Sequence, residues 1–408
     1  MNLSGKRVLI GIGGGIAAYK VCEILSTLAK SGAEVRAILT HSAEQFITPL
    51  TVSTLCRHRA YTDEAFWNGQ WGRPLHIELA EWAEVFVIAP LTANTLGKIV
   101  FGLADNLLTN TILASTCPLL VAPAMNTTMW EQTPVQENWQ RLLCQPRIHA
   151  IGPEAGRLAC DAVGAGRMAE PTDILDYLSS LGHTQGQRDL AGKRILISSG
   201  GTREYLDAVR FIGNPATGKM GLALAIAAWH RGATVHLVQA SDLQPPTHSP
   251  IQTTRVTSAD EMRTALKTFF PEVDWTIMAA AVADVRPQQT VSGKLPKQSL
   301  PAALPLTAVP DLAQELCTAK QPHQRVIGFA AQTGEIVTPA LEKLQRKGLD
   351  AIVANSIDQN DSGFGSDRNQ AIFMDRQGQQ TPIPLCSKLL MAHQILDLAH
   401  KCFAEGQA

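Results

Sequence analysis

The chain has 408 residues, 45% of them hydrophobic, and 35 Lys and Arg stand against 36 Asp and Glu for a formal net charge of −1. That balance gives no electrostatic reason to bind nucleic acid or an anionic membrane, and the length suggests two or three globular domains at ~150 residues each. No run approaches the ~18 apolar residues of a membrane span. The N-terminal stretch leading into "KRVLIGIG" is too short and too Gly-rich for a signal peptide, so none is expected; the eight scattered cysteines form no C-x-x-C pair or zinc spacing, and a cytoplasmic protein with reduced thiols is expected.

In chain order, the short β-branched run "RVLI" leads into a glycine cluster, as expected of a strand buried on both faces of a parallel sheet. The next stretch, "IAAYKVCEILSTLAKSG", has Ile16, Tyr19, Ile24, Leu25 and Leu28 at helical spacing and stops at Ser31-Gly32. Further strands are expected in "AEVRAILT", "VFVIAP", "PLLVAPAM" and "RIHAIGP", with helical sequence between them, including "TANTLGKIVFGLADNLLTNTILAS". A polar, Gly-containing stretch near 179–192 reads as a linker. The chain then starts again: "LSGKRVLIGIGG" at 3–14 returns as "LAGKRILISSGG" at 190–201. Helices "GLALAIAAWHRG" and "ALEKLQRKG" and strands "TVHLVQA", "DWTIMAAAV", "RVIGFAA" and "AIVAN" follow, then a hairpin turning at Gln377-Gly378. The alternation predicts two doubly wound, Rossmann-like α/β domains, over 1–182 and 189–408.

Two glycine loops are the first chemical signals. "GGGIAA" (13–18) fits G-x-G-x-x-A, but the next strand ends at Thr40-His41-Ser42 without the acid that holds an NAD ribose. A mononucleotide such as FMN, its phosphate at a helix N-terminus, fits better. "GNPATGKM" (213–220) satisfies G-x-x-x-x-G-K, yet Met220 replaces the magnesium-binding hydroxyl of a P-loop. A Gly-Lys turn that meets a phosphate before a helix is expected there instead.

"GGIAAYK", "PLHIELAEWA", "APLTANTLGKIVFGLADN", "PAMNTTMW" and "GRLAC…GAGRMAEP" together resemble the flavin-containing cysteine decarboxylases over roughly 1–178. The resemblance implies loss of carbon dioxide from 4′-phosphopantothenoylcysteine, with FMN oxidising the thiol end so that the departing electrons have a sink. His76 would be the base or charge partner near the flavin and the substrate carboxylate. Asn126 would hold that carboxylate. Cys160, on a flap, would protonate and reduce the product. Gly14, Gly15, Ser42, Thr92, Asn94 and Met125 would contact FMN. Asp161 stands where the flap usually has glycine, and its charge is expected to raise the Cys160 pKa. Gly13 stands where a hydroxyl residue is often found.

"GGTREYLDAVRFIGNPATGKMG", "AAAVADVRP", "GKLPK", "GFAAQT", "KGLDAIVAN" and "SGFGSDRN" resemble the phosphopantothenate–cysteine ligase domain, and the whole chain resembles the bacterial bifunctional enzyme of coenzyme A synthesis. The resemblance implies that CTP activates 4′-phosphopantothenate as an acyl-cytidylate, which cysteine then attacks, with lysines and Mg2+ balancing phosphate charge. Lys294 and Lys297 lie on a loop poised to close over the nucleotide. Asp284 would contact cytidine, and an acid after an apolar strand needs a partner. Met278, Ala279, Ala280, Pro310, Asp311, Leu312, Ala313, Phe329, Lys343 and Lys347 would line the CTP site. Asn214 and Arg210 would handle the acyl-cytidylate and the substrate phosphate. Gln332 replaces a common Glu, so no metal ligand is assigned. A homo-oligomer is implied, a dodecamer built from trimeric and dimeric contacts. The competing reading, a regulatory FMN-binding protein without catalysis, is disfavoured by Cys160, the complete ligase half and the lack of an acidic tail.

Overall fold

The computed structural model describes residues 3–68, 72–159, 161–300, 302–356 and 365–405. They form two compact units: the chain up to 187 with 246–249, and 188–245 with 250 onward.

The first unit is built on a five-stranded, all-parallel sheet of β1 (Arg7–Ile12), β2 (Glu34–Leu39), β3 (Val85–Leu91), β4 (Leu119–Pro123) and β5 (Ile148–Ala150), in the order β2-β1-β3-β4-β5. Every residue of β3 and β4 is buried, as continuous apolar strands between two helical layers must be. A Cβ on Gly11 of β1 would lie 2.4 Å from Leu108, so glycine here is set by helix–strand packing. The first helix covers Ala18–Lys30 and buries Val21, Ile24, Leu25 and Leu28. Ile16 and Tyr19, expected in that apolar stripe, are instead 59% and 60% exposed: periodicity marks apolar positions but not what covers them. The long helical stretch after β3 is two helices, Ala93–Phe101 and Leu107–Ala114. Gly102 ends the first at φ 68°, and a capping box between Asn106 and Thr109 starts the second. A small antiparallel hairpin follows, β6 (Glu154–Arg157) with β7 (Val163–Arg167).

The stretch 179–192 is not a linker throughout. The helix Pro171–Thr184 runs well into it, with Ser179, Ser180 and Leu181 buried. Leu190 is buried in the second unit, and Asp189 is bonded to Arg231 there. Its polar composition misled because hydroxyls bond within the helix, Ser180 Oγ donating to the Asp176 carbonyl at 3.1 Å and Thr184 Oγ1 to the Ser180 carbonyl at 3.0 Å.

The second unit has an eight-stranded sheet: β8 (Arg194–Gly200), β11 (Thr234–Ala240), β12 (Gln252–Arg255), β13 (Trp275–Met278), β16 (Arg325–Gln332), β17 (Ala351–Ser356), β18 (Arg368–Asp375) and β19 (Gln380–Ser387). Two short hairpins stand apart, β9 (Arg203–Tyr205) with β10 (Phe211–Gly213), and β14 (Val285–Pro287) with β15 (Leu306–Ala308). The sheet order is β12-β11-β8-β13-β16-β17-β18-β19. Its first six strands are parallel and follow the 3-2-1-4-5-6 pattern of a dinucleotide fold. β18 and β19 extend it antiparallel through the expected hairpin, with Gly378 at φ 82° in the turn. Both units are therefore doubly wound α/β domains. Among the described residues no helix is long and apolar enough to cross a membrane.

Candidate active sites

In open parallel sheets, ligands bind beyond the carboxyl ends of the strands where the strand order reverses. In the first unit that point lies between β1 and β3, and the glycine loop 13–15 leaves β1 there. The loop packs too tightly for side chains. A Cβ on Gly14 would lie 2.3 Å from the Ser42 Cβ, and one on Gly13 would lie 2.4 Å from the Pro90 carbonyl oxygen and 3.1 Å from Thr92 Cγ2. Gly14, Ser42 and Thr92 are thus brought together as expected, and a hydroxyl residue at 13 has no room. Where a Cβ on Gly15 would point, nothing lies within 4 Å. The following helix has Ala17 as its N-cap, with no side-chain cap and no acid in its first turn. Its first N–H groups, of Ala18, Tyr19 and Lys20, turn back to the Gly15, Ile16 and Ala17 carbonyls, and the glycine loop just before it, open at Gly15 and at the positive end of the helix dipole, suits an anion such as a flavin phosphate. Thr92 caps the helix Ala93–Phe101 by accepting from the Thr95 N–H at 3.2 Å, and Asn94 is exposed in its first turn.

Asn126 is the N-cap of the short helix Thr127–Glu131, its Oδ1 accepting from the Thr128 N–H at 2.9 Å, which fixes the amide. Against this turn lies β7: the Met125 N–H donates to the Gly166 carbonyl at 2.9 Å. A Cβ on Gly166 would be 2.2 Å from the Met125 oxygen, and one on Gly164 would be 2.5 Å from Thr127 Cγ2. The glycines of "GAGR" therefore let the hairpin lie flat on the Asn126 turn, a role the sequence reading missed although the alternating glycines were its signal. Thr127 Oγ1 and His76 Nδ1 are buried without a hydrogen-bond partner among the described residues. His76 is in the first turn of the helix Leu75–Trp82, with Phe66 edge-on at 5.5 Å. Arg167 ties the base of the hairpin to Glu154 at 3.0 Å and to Glu170. Cys160 lies outside the described residues. Its neighbour Asp161 has φ 64° and accepts from Arg157 Nη2 at 2.6 Å and Nε at 3.0 Å.

In the second unit a cavity of about 520 Å³ opens at the switch point between β8 and β13. Its wall includes Asn214, Met278, Ala279, Ala280, Asp284, Pro310, Asp311, Leu312, Ala313, Phe329, Lys343 and Lys347. Every predicted nucleotide residue except Lys294 and Lys297 is gathered there. Gly218 and Lys219 of the glycine-lysine turn join it, Lys219 as the first residue of the helix Lys219–His230. Lys219 Nζ bonds the Gly365 carbonyl at 3.0 Å and Asp367 at 2.5 Å. The strand before this turn is the short β10, paired antiparallel with β9, which is not the parallel strand that feeds a P-loop. Lys343 Nζ donates to the Phe329 carbonyl at 2.8 Å. Burial first, then the Lys347 charge, lowers its pKa to about 8. Lys347 pairs with Asp311 at 2.7 Å. Burial would raise the Asp311 pKa, but the Lys347 hydrogen bond and charge and the Gln314 N–H hold it below its ordinary value. Asp284, expected to sit among apolar residues with a partner, is exposed on the rim, because the chain leaves β13 six residues earlier. Lys294 is exposed on its loop, outside the cavity wall, and Arg210 is bonded to Asp207 and to the Leu295 carbonyl.

The Flavoprotein family matches residues 1–183, and the DNA/pantothenate metabolism flavoprotein C-terminal domain matches 190–402. The chain is thus a flavoprotein domain followed by the pantothenate-metabolism domain. It is 39% identical over 394 residues to the coenzyme A biosynthesis bifunctional protein CoaBC of Bacillus subtilis (strain 168), covering 97% of this chain and 96% of that one. It is 38% identical to the protein of that name from Vibrio cholerae, over 98% and 99% of the two chains, and 35% identical to that of Escherichia coli (strain K12), over 97% of each. The chain belongs to this family of bifunctional coenzyme A biosynthesis proteins.

Proposed function

We propose that the second domain joins 4′-phosphopantothenate to cysteine at the expense of CTP, and that the first decarboxylates the resulting 4′-phosphopantothenoylcysteine with FMN. The observation that carries the ligase half is the switch-point cavity, whose wall holds the predicted nucleotide residues from four separate stretches of chain. A carboxylate is a poor electrophile. Its attack on the α-phosphorus of CTP releases pyrophosphate and leaves an acyl-cytidylate, and the cysteine amine then displaces CMP to form the amide. The lysines answer the charge: Lys343 and Lys347 reach the cavity from one helix face, and the Asp311 carboxylate fixes Lys347. Lys294 would arrive on its loop, Asn214 would hold the acyl-cytidylate and Arg210 the substrate phosphate. Asp284 and Asp311 are the carboxylates on the cavity wall, and Mg2+ would enter with the nucleotide.

In the first domain the glycine loop before the helix would hold the FMN phosphate, with Ser42, Thr92, Asn94 and Met125 around it. When bound, FMN supplies a reversible two-electron sink. Asn126, its amide fixed by Thr128, would orient the substrate carboxylate. His76 would hold charge beside it, and Cys160 would deliver the last proton. We read the protein as a homo-oligomer, a dodecamer, as the resemblance to the bifunctional enzyme implies. Among the described residues no disulfide joins any cysteine, which fits the cytoplasm as its compartment. The test is a visible spectrum with a near-stoichiometric flavin band, and CMP and carbon dioxide released when 4′-phosphopantothenate, cysteine and CTP are supplied. A colourless protein, or one that releases neither, defeats the reading.

A further inference from the structure

Asp207 was not among the residues singled out in the sequence, and its side chain is fully shielded from solvent. It sits in the turn between β9 and β10, and its two oxygens meet four donors. Oδ1 accepts from the N–H groups of Val209 at 2.8 Å and Arg210 at 2.7 Å. Oδ2 accepts from Arg210 Nη1 at 2.7 Å and from the Leu295 N–H, 88 residues away, at 3.2 Å. The same two segments are sewn together around it. The Val291 N–H donates to the Leu206 carbonyl at 3.0 Å, the Ala208 N–H to the Gly293 carbonyl at 3.3 Å, and Arg210 Nη1 to the Leu295 carbonyl at 3.3 Å. Lys294 lies between Gly293 and Leu295, so its backbone is held on both sides while its side chain stays exposed.

We propose that Asp207 is a positioning residue for ligation: its buried carboxylate, through the Leu295 N–H and the Arg210 side chain that also bonds the Leu295 carbonyl, fixes the Lys294 loop in one geometry. This rests on the role given above to Lys294. A carboxylate is required because every group around it donates. In an Asp207→Asn variant one oxygen becomes an NH2, which faces either the Val209 and Arg210 N–H groups or the guanidinium together with the Leu295 N–H, donor against donor in both cases. A lysine that must find its place within a mobile loop loses the rate advantage of preorganisation.

The experiment uses the full chain and four forms: parent, Asp207→Asn, Lys294→Gln and the double variant. Asp207→Asn is expected to lower ligase kcat by about ten- to a hundredfold. It should leave carbon dioxide release from supplied 4′-phosphopantothenoylcysteine unchanged and speed tryptic cleavage at Lys294. The double variant should ligate no more slowly than Lys294→Gln alone, because a latch has no effect once the latched group is gone. Parental ligation in Asp207→Asn overturns the proposal, as do losses that multiply in the double variant, the mark of a merely structural residue. If Lys294→Gln itself ligates normally, the reading beneath fails and the latch with it. Should Asp207→Asn fold poorly, Leu295→Pro, which deletes the amide donor and keeps the carboxylate, must reproduce the ligase loss. Normal ligation there also overturns the proposal.

Discussion

Asp161 adopts φ 64°, a left-handed conformation that costs most residues about 1–2 kcal/mol and glycine almost nothing. The turn explains why glycine is common at this position in the decarboxylases. Asp is among the side chains that tolerate it best, and here Arg157 partners its carboxylate. That pair is well exposed, so its contribution is at most about 1 kcal/mol and does not clearly repay the backbone. Its electrostatic effect matters more. The carboxylate alone would raise a neighbouring thiol's pKa, and the guanidinium offsets it. If the Cys160 thiol must be protonated to act, activity is lost as pH rises through its pKa. Arg157→Ala, which leaves Asp161 bare, should therefore move the alkaline limb of decarboxylation up by roughly half a pH unit. Asp161→Gly should barely move it. An alkaline limb that stays fixed in Arg157→Ala removes Asp161 from any influence on the thiol. Lys343 gives a second pH signature. It is protonated below about pH 8 and neutral above, so its attraction for a nucleotide fades as pH rises through that value. The kcat/KM for CTP, which reports the free enzyme, should fall above about pH 8, and Lys343→Arg should abolish that fall. An unchanged profile in Lys343→Arg would show that another group titrates.

At the scale of elements, the strands were the most legible part of the sequence. β1, β3, β4, β8, β13, β16 and β17 are short apolar runs because helices cover both faces, and that composition has few other readings. The nucleotide cavity followed, since a doubly wound sheet puts the residues after its strands together whatever their separation in sequence. The three-residue strands of β9, β10, β14 and β15 are too short to show a period, and so the hairpins they build were invisible. Asp207 was missed with them: three of its four donors come from Val209 and Arg210 within that invisible turn, and the fourth, the Leu295 N–H, lies almost ninety residues on. The flap hairpin shows a third limit. The sequence marks a flap there but not how closely it packs: Gly166 has φ 142°, and its backbone lies where a side chain would strike the Met125 carbonyl. Gly166→Ala would place a methyl 2.2 Å from that backbone oxygen, in a conformation alanine avoids, so β7 must lift off the Asn126 turn. Decarboxylation should fall at least about tenfold on the scale of such overpacking, while ligation continues. Normal carbon dioxide release from Gly166→Ala would mean that the hairpin need not lie on the turn during the reaction.

On the scale of the whole molecule, each unit closes its own core. Leu9, Phe86, Ile88, Leu119 and Val121 belong to one cluster in the first, and two clusters flank the sheet of the second, one around Ile195, Ile197 and Leu224, the other around Leu196, Val326 and Ile352. A domain with its own core is expected to fold alone. The place to divide the chain is narrower than its polarity suggests. Ending the first fragment at 182 would cut the helix Pro171–Thr184 within its last turn, and starting the second after 190 would remove the buried Leu190 and the Asp189 partner of Arg231. Arg231 is itself 2% exposed and is held by two carboxylates, Asp189 and Asp397, the latter at 2.7 Å, so deleting Asp189 would leave buried guanidinium donors short of an acceptor while Asp397 still balances the charge, at a cost of about 1–3 kcal/mol. Separation between 186 and 188 avoids both losses. A fragment of residues 1–186 should therefore purify yellow and release carbon dioxide from 4′-phosphopantothenoylcysteine, and a fragment from 188 onward should make that compound from 4′-phosphopantothenate, cysteine and CTP. Moving the second start to 191 should lower the melting temperature of that fragment sharply while leaving the first untouched. If both second fragments melt alike, the Asp189–Arg231 pair does not support the domain. If the first fragment is colourless, its flavin site needs more of the chain than the 1–183 match to the Flavoprotein family.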